Sequence, residues 1–125
     1  MDKKVIPIFR IFDYKKAINF YVDWLGFKID WEEREKGRPV YMQISKDHIT
    51  LHLTEHHGDC CPGSKAFITF SDLKKYHTDL IKKDYEFNKP RLESAPWNAT
   101  IMEVIDPFGN RLLFNEYKKR EKAST

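Results

Sequence analysis

The sequence predicts an α+β fold: two βαβββ modules within a single domain spanning residues 1–125. Three observations carry this. Ala17, Phe20, Tyr21, Trp24 and Leu25 fall at i, i+3, i+4, i+7 and i+8, and Leu73, Tyr76, His77, Leu80 and Ile81 repeat that spacing, so each set marks one buried face of a helix. A short strand-like run precedes each helix, and three extended segments follow it. Local echoes join the halves: Asp13-Tyr14-Lys15-Lys16 against Asp72-Leu73-Lys74-Lys75 at an offset of 59, and Tyr41-Met42-Gln43-Ile44 against Ile101-Met102-Glu103-Val104 at an offset of 60.

Residues 5–11 form the first strand-like run, and Pro7 suggests that part of it lies at an edge or exchange point, where an N–H is not required. Asp13 fits a helix N-cap, since its carboxylate can accept from free N–H groups of the first turn, and Gly26 can end the helix in a left-handed conformation. Extended segments are expected at 27–34, 39–45 and 48–55, broken by Lys36-Gly37-Arg38 and by Lys46-Asp47. Residues 58–64 read as a linker. The second module repeats the order: a strand at 66–70, Asp72 as cap of the second helix, and extended candidates at 85–92, 99–105 and 111–117, the last two joined by the turn Asp106-Pro107-Phe108-Gly109-Asn110. The modules are bounded at about 5–57 and 65–117, with a basic tail at 118–125.

Composition narrows the function classes. The net charge of +3 comes from the tail, where Lys118, Lys119, Arg120 and Lys122 outnumber Glu121, so the body is near neutral and lacks the footprint of a nucleic-acid binder. No apolar run approaches the length of a membrane span, and Met1-Asp2-Lys3-Lys4 is not followed by the apolar region of a secretion signal. The expectation is a cytoplasmic protein with reduced thiols, because its two cysteines, Cys60 and Cys61, are adjacent and would close no useful loop.

Arg10-Ile11-Phe12-Asp13 with Ala17, Phe20-Tyr21 and Leu25-Gly26-Phe27, together with Pro96-Trp97 and Asp106-Pro107-Phe108-Gly109-Asn110-Arg111, resemble the vicinal oxygen chelate superfamily. This is the group of glyoxalases, bleomycin-resistance proteins and extradiol dioxygenases, and the chain looks most like the bleomycin-resistance type. The resemblance runs from about Val5 to Glu116. It implies curved sheets forming a partly open, barrel-like cleft, in a homodimer. It fixes no chemistry, since the group includes metalloenzymes and metal-free binders.

In the resemblance, metal ligands come from inner faces of four strands, which here correspond to Ile6, His52, Ala66 and Leu113. One imidazole cannot hold a divalent ion against hydration, so no metal, no cofactor and no catalytic residue is expected. The loop His56-His57-Gly58-Asp59-Cys60-Cys61 carries ligand-type side chains in none of the usual zinc spacings and reads as a connector.

The alternation of 49–54 puts Thr50, His52 and Thr54 on one face and Ile49, Leu51 and Leu53 beneath the helices; Tyr41 and Gln43 likewise oppose Met42 and Ile44. Trp31, Tyr41, Trp97 and Phe108 are candidates for stacking a flat ligand, because large aromatics combine contact area with few rotors. Gln43 and His52 are candidate ligand contacts on that face, and Glu33, Glu103, Glu116 and Arg111 are candidates for polar selection.

The expected function is metal-independent binding, and sequestration, of a small amphipathic or aromatic molecule such as an antibiotic or toxin. Bleomycin itself is cationic and would favour an acidic cleft, which a near-neutral body does not announce. Two alternatives stand beside this reading: an enzyme of the superfamily (lyase, transferase or dioxygenase) with atypical ligands, and a dimeric interaction module.

Overall fold

The computed structural model describes residues 3–119. Two four-stranded mixed sheets are present, ordered β1-β4-β3-β2 and β5-β8-β7-β6. The strands are β1 (Ile8–Arg10), β2 (Lys28–Glu33), β3 (Tyr41–Lys46), β4 (Ile49–Thr54), β5 (Lys65–Thr69), β6 (Glu93–Ala95), β7 (Ala99–Ile105) and β8 (Arg111–Tyr117). Helix α1 (Tyr14–Ala17) and a π-helical stretch (Ile18–Trp24) follow β1, and helix α2 (Leu73–Lys82) follows β5. The βαβββ order therefore occurs twice, as the repeat predicted. Of the basic tail, Lys118 and Lys119 are described, while Arg120, Glu121 and Lys122 lie outside the described residues.

The chain gathers into two compact units. One runs to Ala66 and includes Ile105–Arg111; the other holds Phe67–Val104 and the chain from Leu112 onward.

In the first unit, β1 pairs in parallel with β4 (Ile8 with His52, Arg10 with Thr54), and β3 pairs antiparallel with both β4 and β2. Strand β1 is an edge, as Pro7 suggested: it needs no donor there, and its carbonyl accepts from His52 N–H at 3.0 Å. Asp13 caps α1, its carboxylate accepting from Lys16 N–H at 3.0 Å. The helix then widens instead of keeping the α-helical pattern: Leu25 N–H donates to Phe20 O, five residues back, at 3.0 Å. A 3.6-residue spacing gives no sign of this widening. Gly26 ends the helix at φ 87°, where a side chain would be strained. Phe9, Phe20, Tyr21, Trp24, Met42, Ile44, Leu51 and Leu53 are buried in this unit.

Polar ties fix the connector. Asp106 accepts from Tyr21 Oη at 2.6 Å and from the backbone N–H groups of Phe108 and Asn110. Asn110 accepts from Gly63 and Ser64 N–H through Oδ1, and its amide donates to Arg10 O at 2.8 Å and to Asp106. The linker is thus hydrogen-bonded to the Asp106–Asn110 turn. It is not a free hinge.

The second unit departs from expectation in three places. The candidate strand at 85–92 is turn and coil, and the strand forms at Glu93–Ala95, where residues pair with Ala99, Thr100 and Ile101. Pro90 and the positive φ of Asp84 (51°), just before the run, explain the failure, since proline lacks a ladder donor and a left-handed residue turns the chain. The buried face of α2 is narrower than its sequence period: Leu73, Tyr76 and Leu80 are buried, whereas Ile81 is 40% exposed. Asp72 adopts φ 58° and makes no side-chain cap. The cap comes instead from Glu116 on β8, whose carboxylate accepts from Asp72 N–H at 2.8 Å and Leu73 N–H at 3.1 Å. Phe70, Tyr76 and Phe114 pack edge-on and stacked, with centroids 4.9 to 5.5 Å apart.

Candidate functional site

Four of the residues singled out from sequence meet on one face of the first sheet. Trp31 stacks on Tyr41 with centroids 6.0 Å apart and planes 9° from parallel, and His52 stands edge-on to both rings at 5.4 and 5.2 Å. Gln43 lies opposite His52 in the register of β3 and β4 and opposite Trp31 in that of β2 and β3. The alternation did its work on the other face too, where Met42 and Ile44 are fully buried.

A β-bulge supplies what alternation cannot. The register shifts between Ile29 and Trp31, so Asp30 is the extra residue. Its carboxylate accepts from Gln43 Nε2 at 3.0 Å and from Ser45 Oγ at 2.9 Å while its neighbour Trp31 still reaches Tyr41 and His52. Strict period two would have sent one of these two side chains to the other face. Asp30 was not among the sequence candidates, and nothing in the sequence marks the bulge.

Hydrogen bonding fixes the state of the imidazole. Asp30, held below the ordinary carboxylate range first by Gln43, then by Ser45, is ionised and only accepts, so Gln43 must turn its NH2 toward it. That leaves Gln43 Oε1 facing His52 Nε2 at 3.0 Å, and this nitrogen must carry the proton. His52 Nδ1 then accepts from Tyr41 Oη at 2.8 Å. Burial pulls the His52 pKa below its ordinary value, which favours the neutral ring this chain of bonds requires. Burial, and then the nearby Asp59 and Cys60, push the Tyr41 phenol up, so it stays a donor. Both ring nitrogens are therefore committed to neighbouring side chains. Among the described residues, no three His, Cys, Asp or Glu side chains gather as a metal-binding group.

Thr50 and Thr54 flank His52 on the strand but serve the scaffold. Both are buried, and Thr54 Oγ1 donates to Asp59 at 2.7 Å and accepts from His56 N–H at 3.0 Å, tying down the loop after β4. Phe108 also lies in the first unit, where its ring tilts against Phe12 at 6.0 Å and does not join the Trp31–Tyr41–His52 stack. Arg111 is exposed at the start of β8, with its N–H donating to Ser64 O at 2.9 Å. Trp97 and Glu103 belong to the second unit; the Trp97 indole donates to Asn115 Oδ1 at 2.6 Å, and Glu103 sits half-buried on β7.

Against known proteins, residues 1–121 match the family model for glyoxalase superfamily proteins. The chain belongs to the glyoxalase superfamily. Among relatives of this superfamily member are bleomycin resistance proteins from Geobacillus stearothermophilus and Staphylococcus aureus, each 28% identical over 127 residues, covering 87% of this chain and 92% of the relative. Its fold is also that of a bleomycin-binding protein solved in complex with bleomycin, with a TM-score of 0.70 at 20% identity, covering 94% of this chain and 100% of the other. An antibiotic binding protein from Streptomyces sp. CB03234 superposes with a TM-score of 0.65 at 19% identity, covering 94% of this chain and 99% of that one. No helix among the described residues is long and apolar enough to cross a membrane.

Proposed function

We propose that this protein binds a small aromatic or amphipathic molecule, of the antibiotic class that its bleomycin-resistance relatives are named for, on the Trp31–Tyr41–His52 face. Binding needs no metal ion and no bond is broken. Capture alone lowers the free concentration of a toxin.

One observation carries this reading: an open aromatic wall is held rigid by polar side chains that leave no lone pair of His52 free. Trp31 is 40% exposed, so its face is available for stacking, while the Tyr41–His52–Gln43–Asp30 bonds fix the surface in advance. A metal ligand or general base would have to give up the Tyr41 bond first. Strand β2 is a sheet edge whose residues are all exposed, and we assign the cover of that edge, leaving the Trp31 ring face open to the ligand, to a second copy of the chain.

The test is equilibrium binding, followed by tryptophan fluorescence, with bleomycin and a panel of aromatic antibiotics, in chelator and in added divalent metal. Saturable binding unchanged by chelator is expected. Absence of binding together with metal-dependent turnover overturns the reading, as does near-stoichiometric metal in purified protein that disappears in His52→Ala. Sedimentation velocity tests the second copy, and a monomer at micromolar concentration removes it.

A further inference from the structure

Away from the Trp31 cluster, the first unit holds an open cavity of about 390 Å³ lined by Arg10, Phe12, Arg34, Arg38, Pro39 and Glu55 among others. Three of these side chains are guanidinium groups. Arg10 is the unusual one: it is 9% exposed, yet it forms no ion pair with a carboxylate among the described residues. Its Nη1 donates to Glu55 O at 3.0 Å and lies 3.5 Å from Ile11 O, and its guanidinium carbon sits 4.6 Å above the Phe12 ring. Among the described residues its side chain makes no other hydrogen bond, and none of its nitrogens is both sealed from solvent and unpartnered, so the remaining N–H groups open toward the cavity side. Arg10 therefore keeps guanidinium N–H groups that a ligand in the cavity can meet.

The surroundings favour an anion. Arg34 lies over the Tyr14 ring at 4.9 Å and is likewise in no ion pair among the described residues. Arg38 is held at its Nε by Glu35 at 3.3 Å, which leaves its other donors to the cavity. Glu55 is the acid among the lining residues, and its Oε1 already accepts from Val40 N–H at 3.0 Å. Phe12, 56% exposed, and Pro39 give the cavity an apolar side. Its volume falls within the range of small-molecule sites.

We infer that this cavity is a binding site for the oxyanion of a small organic acid, a carboxylate or a phosphate ester, clamped by Arg10, Arg34 and Arg38 with its carbon body against Phe12. Planar guanidinium forks match both oxyanions, which a lysine would meet only as a point charge. The site does not depend on the aromatic-face reading, and shares no lining residue with it.

Calorimetric titration of the full chain at low ionic strength with benzoate, phenyl phosphate and neutral benzamide tests it. One or both anions bind and benzamide does not; which anion binds identifies the headgroup. Arg34→Gln and Arg38→Gln, at exposed positions that leave the core intact, each weaken the anion about two- to fivefold, and added salt weakens it further. Arg10→Lys, which keeps the charge but loses the fork, weakens it about tenfold or more. Equal binding of benzoate and benzamide, no binding of either anion, or unchanged affinity in both Arg34→Gln and Arg38→Gln overturns the site.

Discussion

His52 shows how position alone can turn a reactive side chain into a structural one. Its ring is neutral, protonated on Nε2, and bonded at both nitrogens. Because burial lowers its folded-state pKa, the unfolded chain takes up a proton first as pH falls below about 6.5. Stability is therefore full above that value and declines as pH drops toward the folded midpoint. An NMR titration of the imidazole is expected to give a midpoint below about 6.5 with the Nε2–H tautomer at neutral pH; a midpoint above it contradicts the assignment. The tryptophans make a second contrast. Trp24 is 2% exposed and Trp31 is 40% exposed. Trp24→Ala is expected to cost about 3–5 kcal/mol in denaturant unfolding, whereas Trp31→Ala should cost about 1 kcal/mol, the scale of its ring contacts, while weakening ligand binding tenfold or more.

At the scale of elements, the two helix starts look alike in sequence and differ in mechanism. Asp13 caps α1 from its own side chain, but Asp72 turns left-handed and leaves the role to Glu116. Thermal and denaturant unfolding separate them. Asp13→Ala and Glu116→Ala are each expected to cost about 1 kcal/mol, while Asp72→Gly, which relieves the positive φ and removes no cap, should be neutral or stabilising. A large loss in Asp72→Gly with none in Glu116→Ala would reverse the assignment. The bulge in β2 belongs to this scale as well. It seats Asp30 and Trp31 on one face, and so builds the polar and the aromatic half of the site from adjacent residues.

At the scale of the whole molecule, the Asp106–Asn110 turn returns a late stretch of the chain to the first unit. Asn110 is 1% exposed and joins the carbonyl of Arg10, the N–H groups of Gly63 and Ser64, and Asp106. Asn110→Ala leaves those buried groups unpaired and is expected to cost about 3 kcal/mol or more in denaturant unfolding. Strands β5, β7 and β8 each begin in one compact unit and end in the other. Unfolding in one transition, by fluorescence and by circular dichroism alike, is accordingly expected; two separated transitions would show independent domains.

The sequence by itself determined the βαβββ repeat, both helices, seven of the eight strands and the face shared by Tyr41, Gln43 and His52, because each follows from a local period or a local breaker. It also singled out Trp31. What it could not determine were the second helix cap, the tied linker, the bulge that adds Asp30, and the gathering of Arg10, Arg34 and Arg38. Glu116 caps a helix 44 positions away, and Asn110 reaches Arg10 across 100. Such pairings are set by strand register and chain closure, which bring distant residues together without leaving any period in the sequence between them.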